Sequence, residues 1–175
     1  MSPHEDTVVD NESESRTRLW DLIRDIHFAM LTTRHSNGEL QARPVTTQNS
    51  RLDEDASLWF FMSRRGEPVV DLLANPIVNV AYADPGEDSY VSVSGTASVV
   101  DDSTKKQRLW SRHAQTWFPS GPNDPDLALV RVRIEHAEYW DMKASRLERL
   151  LHLAKSVIGR KRPERLGEHG EVRMN

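Results

Sequence analysis

Residues 127–140 alternate with a period of two. Leu127, Leu129, Arg131 and Arg133 fall on one parity and Ala128, Val130, Val132 and Ile134 on the other, the pattern of a strand with two unlike faces. Segments 28–33, 40–48, 57–62, 77–83 and 90–100 are also rich in β-branched or aromatic residues and are bounded by turn signals, so they too read as strands. Asn37-Gly38 tolerates positive φ at a tight reversal, which returns 40–48 antiparallel to 28–33. Asp84-Pro85-Gly86-Glu87-Asp88 joins 77–83 and 90–100 as a hairpin. A period near 3.6 marks the helices: Leu19, Leu22, Ile23 and Ile26 behind a cap at Ser13 or Ser15, a short helix opened by Pro68 and ended at Asn75-Pro76, and a third from Asp101 or Ser103 to about Trp117. The Pro/Gly-rich run 119–125 breaks the third. Leu147, Leu150, Leu151, Ala154, Val157 and Ile158 predict a last amphipathic helix, stopped by Gly159. Six strands with short helices between them predict a mainly β (α+β) fold, a closed or nearly closed antiparallel barrel with helices at its ends. A sandwich is the rival, because both architectures alternate inward apolar and outward polar residues.

Composition narrows the function classes. The 175 residues fit one domain, and no apolar run reaches the roughly 18 residues of a membrane span. The opening residues lack the basic and apolar regions of a secretory signal, and the absence of cysteine excludes disulfides and thiolate metal sites. A cytoplasmic location is expected. A net charge of −4 and a pI near 6.0 argue against a general nucleic-acid binder. The charge is uneven: residues 1–15 carry five acidic residues and no Lys or Arg, whereas 143–175 carry nine Lys or Arg against four Glu. The expected organisation is an acidic flexible leader (1–15), a barrel domain (16–142), and an amphipathic helix with a basic tail packing on the barrel (143–175).

The seven histidines are scattered without close ligand spacing, so no metal site is expected. No nucleophile elbow, dinucleotide fingerprint or phosphate-binding P-loop occurs. What remains is a set of arginines near strand ends: Arg43 on the second strand, and Arg64 and Arg65 after Trp59-Phe60-Phe61. A guanidinium is a planar fork of donors suited to a phosphate, although an isolated arginine at a strand end is more often a solvated surface residue. Aromatic residues recur at Trp110, Trp117-Phe118 and Tyr139-Trp140. They can pack over a planar ring, line a dimer interface or fill a core.

Taken in order, Ala29-Met30-Leu31-Thr32-Thr33, Ala42-Arg43-Pro44-Val45, Leu58-Trp59-Phe60-Phe61, Asn75-Pro76, the segment Tyr90-Val91-Ser92-Val93-Ser94-Gly95-Thr96-Ala97, Trp117-Phe118-Pro119 and Glu138-Tyr139-Trp140-Asp141 resemble the FMN-binding split-barrel proteins related to pyridoxamine 5′-phosphate oxidase, in the branch of bacterial general stress proteins. Gly167-Glu168-His169-Gly170-Glu171-Val172 resembles the short ending of that branch. The resemblance implies a six-stranded split barrel that forms a homodimer, with FMN (or FAD) in clefts between subunits. It implies that Arg43, Pro44, Val45, Thr46 and Thr47, with Phe60, Phe61 and Met62, run beside the flavin. Ser63, Arg64 and Arg65 would then approach the phosphate, and Trp117 and Phe118 would close the cleft.

Relatives usually carry a threonine after the two aromatics and a Ser-Pro-Lys or similar segment before the helix. Met62 and Gly66-Glu67-Pro68 stand here instead, which puts a carboxylate where a lysine is expected, with Arg64 and Arg65 available to compensate. The function expected from the resemblance is flavin binding or flavin-dependent redox work in a stress response. The alternative is a non-catalytic dimeric module using the same cleft for another flavin, a haem or a protein partner. No catalytic acid or base is identifiable, and true pyridoxamine 5′-phosphate oxidase activity is not expected.

Overall fold

The computed structural model describes residues 3–51, 56–141 and 168–174. The amphipathic helix expected around Leu147 to Ile158 lies outside the described residues. Helix α1 (Pro3–Ile26) is followed by strands β1 (Phe28–Arg34), β2 (Leu40–Thr46) and β3 (Ser57–Ser63). Helix α2 (Glu67–Ala74) leads into the hairpin of β4 (Ile77–Asp84) and β5 (Ser89–Val100). Helices α3 (Ser103–Leu109) and α4 (Arg112–Trp117) precede the long strand β6 (Leu127–Asp141), and β7 (Glu168–Arg173) completes the order. Every strand pairing is antiparallel.

Six strands run β2-β1-β4-β5-β6-β3, and β7 adds to β6. The two ends of that path, β2 and β3, touch through an isolated bridge between Thr47 and Phe60, extended by Gln48 N–H donating to Trp59 O at 2.8 Å. Beyond the bridge the two strands diverge without a ladder. The result is a barrel with one open seam rather than a sandwich, as the split-barrel resemblance implies.

One residue parity of β1, β4 and β5 fills the interior, while β3 and the first part of β6 are buried on both parities. Leu31, Leu58, Phe60, Val80, Tyr82, Val93, Val130 and Val132 are fully or almost fully buried, and Leu19, Leu22 and Ile23 of α1 pack into the same cluster. The wide apolar stripe of the first helix therefore has its partner, and burial of several such side chains at roughly 1.5–3 kcal/mol each is what holds the helix to the barrel. Tyr82 keeps its hydroxyl satisfied inside by pairing with Thr47 Oγ1 at 2.8 Å, and burial holds its phenol far above the usual range.

Two expectations are corrected. Helix α1 begins at Pro3, so Ser13 and Ser15 lie within it and cap nothing. The helix expected over 101–117 is two: Trp110 is extended, and the Ser111 side chain accepts from Ala114 N–H to start a second helix, as the Asp102 side chain accepts from Lys105 N–H to start the first. Serine competes for backbone donors more effectively than a helix interior can use it, which explains the break. The Trp110 ring, freed from the helix, lies 5.6 Å from Phe61, and its Nε1–H donates to Gln115.

Strand β6 serves two partners on one side, β3 along residues 127–133 and β7 along 136–141. The change of partner coincides with a β-bulge: Ser94 pairs with His136 but Gly95 pairs with Ile134, leaving Glu135 as the extra residue. The carbonyl of Glu135 accepts from Met174 N–H at 3.1 Å, just past the end of β7.

Candidate functional site

The open seam becomes a cleft. Past the Thr47–Phe60 bridge, β2 and β3 separate, and α4 with the loop to Asp126 stands over the gap. The cleft measures about 660 Å³, within the usual size range of small-molecule sites. Because the strands diverge, both parities reach it. Arg43 and Val45, which pair with the inward residues Leu31 and Ala29, border it together with the outward Pro44 and Thr46. Phe61, Met62 and Ser63 form the β3 wall, and Trp117 and Phe118 the roof. Trp117 is 72% exposed, so its ring is held over the opening rather than in a core.

Four expected residues lie elsewhere. Thr47 and Phe60 are buried behind the cleft at the bridge, the one bonded to Tyr82 and the other in the barrel core. Arg64 and Arg65 are exposed and do not line it. Their loop is instead pinned to Asp126. Arg64 N–H donates to Asp126 O at 2.6 Å, Arg65 N–H to Asp126 Oδ1 at 3.3 Å, and Ser63 Oγ–H to Asp126 Oδ2 at 2.6 Å, with the Arg65 guanidinium 3.6 Å away. The Ser63 hydroxyl does most to hold the Asp126 carboxyl below the usual carboxylate range; desolvation opposes it, and the Arg65 amide and the charges of Arg65 and Arg64 add smaller pulls downward. Replacing Ser63 with alanine is expected to move that carboxyl back toward its ordinary value. A side-chain carbonyl NMR titration of both proteins reads the shift. The sign is that of a depressed acid: whatever stability the contact supplies is present above the unfolded-state value and is lost as pH falls through the folded one.

Of the three arginines, Arg43 borders the cleft and Arg64 and Arg65 do not. Arg43 is the one arginine on the lining among the described residues, and carboxylates hold it. Its Nη2 donates to Gln41 Oε1 at 2.6 Å and Glu67 Oε2 at 3.1 Å, and its Nη1 donates to Thr33 Oγ1 at 3.2 Å, with Asp71 Oδ2 at 3.8 Å. Asp71 is 3% exposed and accepts from Thr33 Oγ1–H, with His35 Nδ1 also within 2.9 Å. Glu67 and Asp71 stand four residues apart on α2 and so share the helix face turned to Arg43.

Sequence reasoning missed Phe28, Gln48, His113, Asp124 and Asp126, all of which border the cleft. Phe28 packs edge-on against both His27 and His113, with ring centroids 5.6 and 5.9 Å away. His27 holds a positive φ of 65° where the chain turns from α1 into β1, and burial together with the nearby His113 lowers its pKa. A histidine at the end of an apolar helical run carries no signal for such a turn. Asp126 directly precedes the predicted strand that begins at Leu127, and that strand pairs with β3 through Leu127 and Ser63.

The family model for pyridoxamine 5′-phosphate oxidase-like proteins matches residues 14–164. The chain belongs to that family. The chain is also similar to the protein bli-3 of Neurospora crassa, 26% identical over an alignment of 171 residues that covers 89% of this chain and 80% of the relative. A candidate general stress protein 26 from Jannaschia sp. CCS1 has the same fold, with a TM-score of 0.76 at 23% identity, covering 93% of this chain and 99% of its own. The general stress FMN/FAD binding protein of Xanthomonas citri superposes with a TM-score of 0.62 at 28% identity, over 74% of this chain and 89% of that one. The oxidase-like fold is thus the one the ordered motifs implied. Among the described residues no cluster could hold a metal ion, and no helix is long and apolar enough to cross a membrane.

Proposed function

We propose that this chain is a flavin-binding general stress protein whose cleft takes FMN at the seam of a homodimer. The observation that carries the reading is the cleft itself, apolar along Pro44, Phe61, Met62 and Trp117 and lined, among the described residues, by one guanidinium, that of Arg43. Flat apolar walls suit a tricyclic ring, and a planar fork of donors suits the phosphate at the end of its chain. Family membership and the FMN/FAD-binding relative from Xanthomonas citri support it. When bound, the flavin supplies hydride or electron transfer. The chain's own part is to sandwich the ring between Phe61 and the α4 aromatics, exclude water with Trp117 and Phe118, and orient the phosphate at Arg43. FAD would need room for its adenylate beyond the mouth.

The outer face of the sheet supports the dimer. Phe28, Met30, Leu40, Ile77, Tyr90 and Trp140 are large apolar side chains left exposed, and the strand registers place them on one parity across β2, β1, β4, β5 and β6. So much apolar surface on one sheet face marks an interaction site, and it adjoins the cleft through Phe28. A second copy seated there would complete the cleft wall. Met30→Asp, outside the cleft, is expected to split the dimer and to weaken FMN at the same time. Sedimentation and FMN fluorescence on one sample check both. A variant that is monomeric yet binds FMN as the parent does would overturn the shared site.

A further inference from the structure

The four acceptors around Arg43 are not equivalent. Asp71 is buried and fixed by Thr33 and His35, so it stays in place whatever enters the cleft. Glu67 is different: its side chain is 71% exposed, and its ion pair, among the described residues, is with Arg43. It stands between Gly66 and Pro68, both of which border the cleft. It also lies in the first turn of α2, where no side-chain cap is made, so a carboxylate that swings away from Arg43 remains beside the favourable end of the helix dipole. Leaving the pair frees a long side chain and exchanges one exposed ion pair, of small net worth, for hydration.

We propose that Glu67 is a displaceable counter-ion that sets the cleft's selectivity between phosphate-bearing and neutral ligands. A ligand phosphate gains the Arg43 fork only by expelling Glu67, whereas a ring without a phosphate leaves the pair intact. The Glu67 and Asp71 carboxylates stand 3.1 and 3.8 Å from the one guanidinium of Arg43, so a phosphate arriving with Glu67 in place meets repulsion as well as an occupied donor. Glu67 is thus a specificity-determining residue and takes no part in chemistry. For flavins the inference rests on the reading given above; for inorganic phosphate it stands by itself.

Glu67→Gln removes the charge at constant shape, and its exposed position keeps the fold. In the full chain it is expected to tighten FMN roughly fivefold, the scale of one partly exposed charge, while riboflavin stays within about twofold. Glu67→Ala should act as Glu67→Gln does, tightening FMN and leaving riboflavin within about twofold, since charge and not the amide is at issue. Inorganic phosphate, followed through the Arg43 Nε–H resonance, should bind Glu67→Gln more tightly than the parent by a similar factor. Equal phosphate affinity in the two proteins, or an unchanged FMN-to-riboflavin ratio, overturns the counter-ion role. If neither protein binds any flavin while phosphate still binds Glu67→Gln more tightly, the counter-ion role stands and the flavin reading falls.

Discussion

Replacing Arg43 with alanine is expected to weaken FMN by about 2 kcal/mol, roughly thirtyfold at 25 °C, the scale of a charge-assisted hydrogen bond lost in a partly closed site. Riboflavin, which has no phosphate, should change by no more than about threefold. The difference is what assigns the guanidinium to the ligand's anionic end. The loss is enlarged by what remains: without Arg43, the Glu67 carboxylate loses its counter-ion beside the phosphate. Stability should fall less than affinity, because buried Asp71 keeps Thr33 and His35 as partners. Parallel titrations with the two flavins, alongside a thermal melt, read all three quantities. Equal weakening of FMN and riboflavin would make Arg43 a support for its strand and nothing more.

Gly95→Ala is expected to cost about 3 kcal/mol or more and to lower Tm by roughly 6–12 °C. A Cβ at this position would lie 2.1 Å from Arg133 O, 3.0 Å from Arg133 C and 3.2 Å from Val132 Cγ1. The first two atoms are backbone, so no rotamer change relieves the contact. Strands β5 and β6 would have to part at the bulge where β6 passes from β3 to β7. Hydrogen exchange should therefore show early opening at Met174, whose N–H is held by Glu135 O. A Gly95→Ala protein that melts with the parent would mean that the bulge relaxes without cost.

Much of this architecture was legible in the chain. The strand boundaries followed from alternation and turn chemistry, and the β4/β5 hairpin and β1/β2 reversal came out in the expected pairing. The ordered motifs carried the fold further than periodicity, which alone left the sandwich open. The misses have physical causes. Side-chain capping by Ser111 outweighed a helical period that ran on through it. The fate of Arg43 depended on a pair four residues apart on another element, Glu67 and Asp71, and that spacing was readable but pointed at nothing until β1, β2 and α2 were brought together. The same holds for Arg64 and Arg65: two cations after an aromatic strand look like a phosphate loop, yet Asp126, 61 residues beyond Arg65 in the chain, takes their backbone amides. Local sequence gives which groups exist at a site, and long-range pairing decides which of them are free to meet a ligand.

That distinction bears on the chemistry expected of the cleft. Its walls are largely apolar and aromatic, and Arg43, the one guanidinium lining it among the described residues, is balanced by two carboxylates, with Asp124 and Asp126 also on the lining. If a flavin is the ligand, as proposed, such a site would hold the ring first and the phosphate second. The account therefore predicts a smaller gap between FMN and riboflavin than an unopposed arginine would give, and a gap that Glu67 controls.

The most direct test is a fluorescence titration of FMN with the purified full chain. Quenching that saturates at micromolar protein with one flavin per chain is the predicted result. FMN emission that stays unchanged at concentrations well above that range would contradict the cleft's assignment to a flavin.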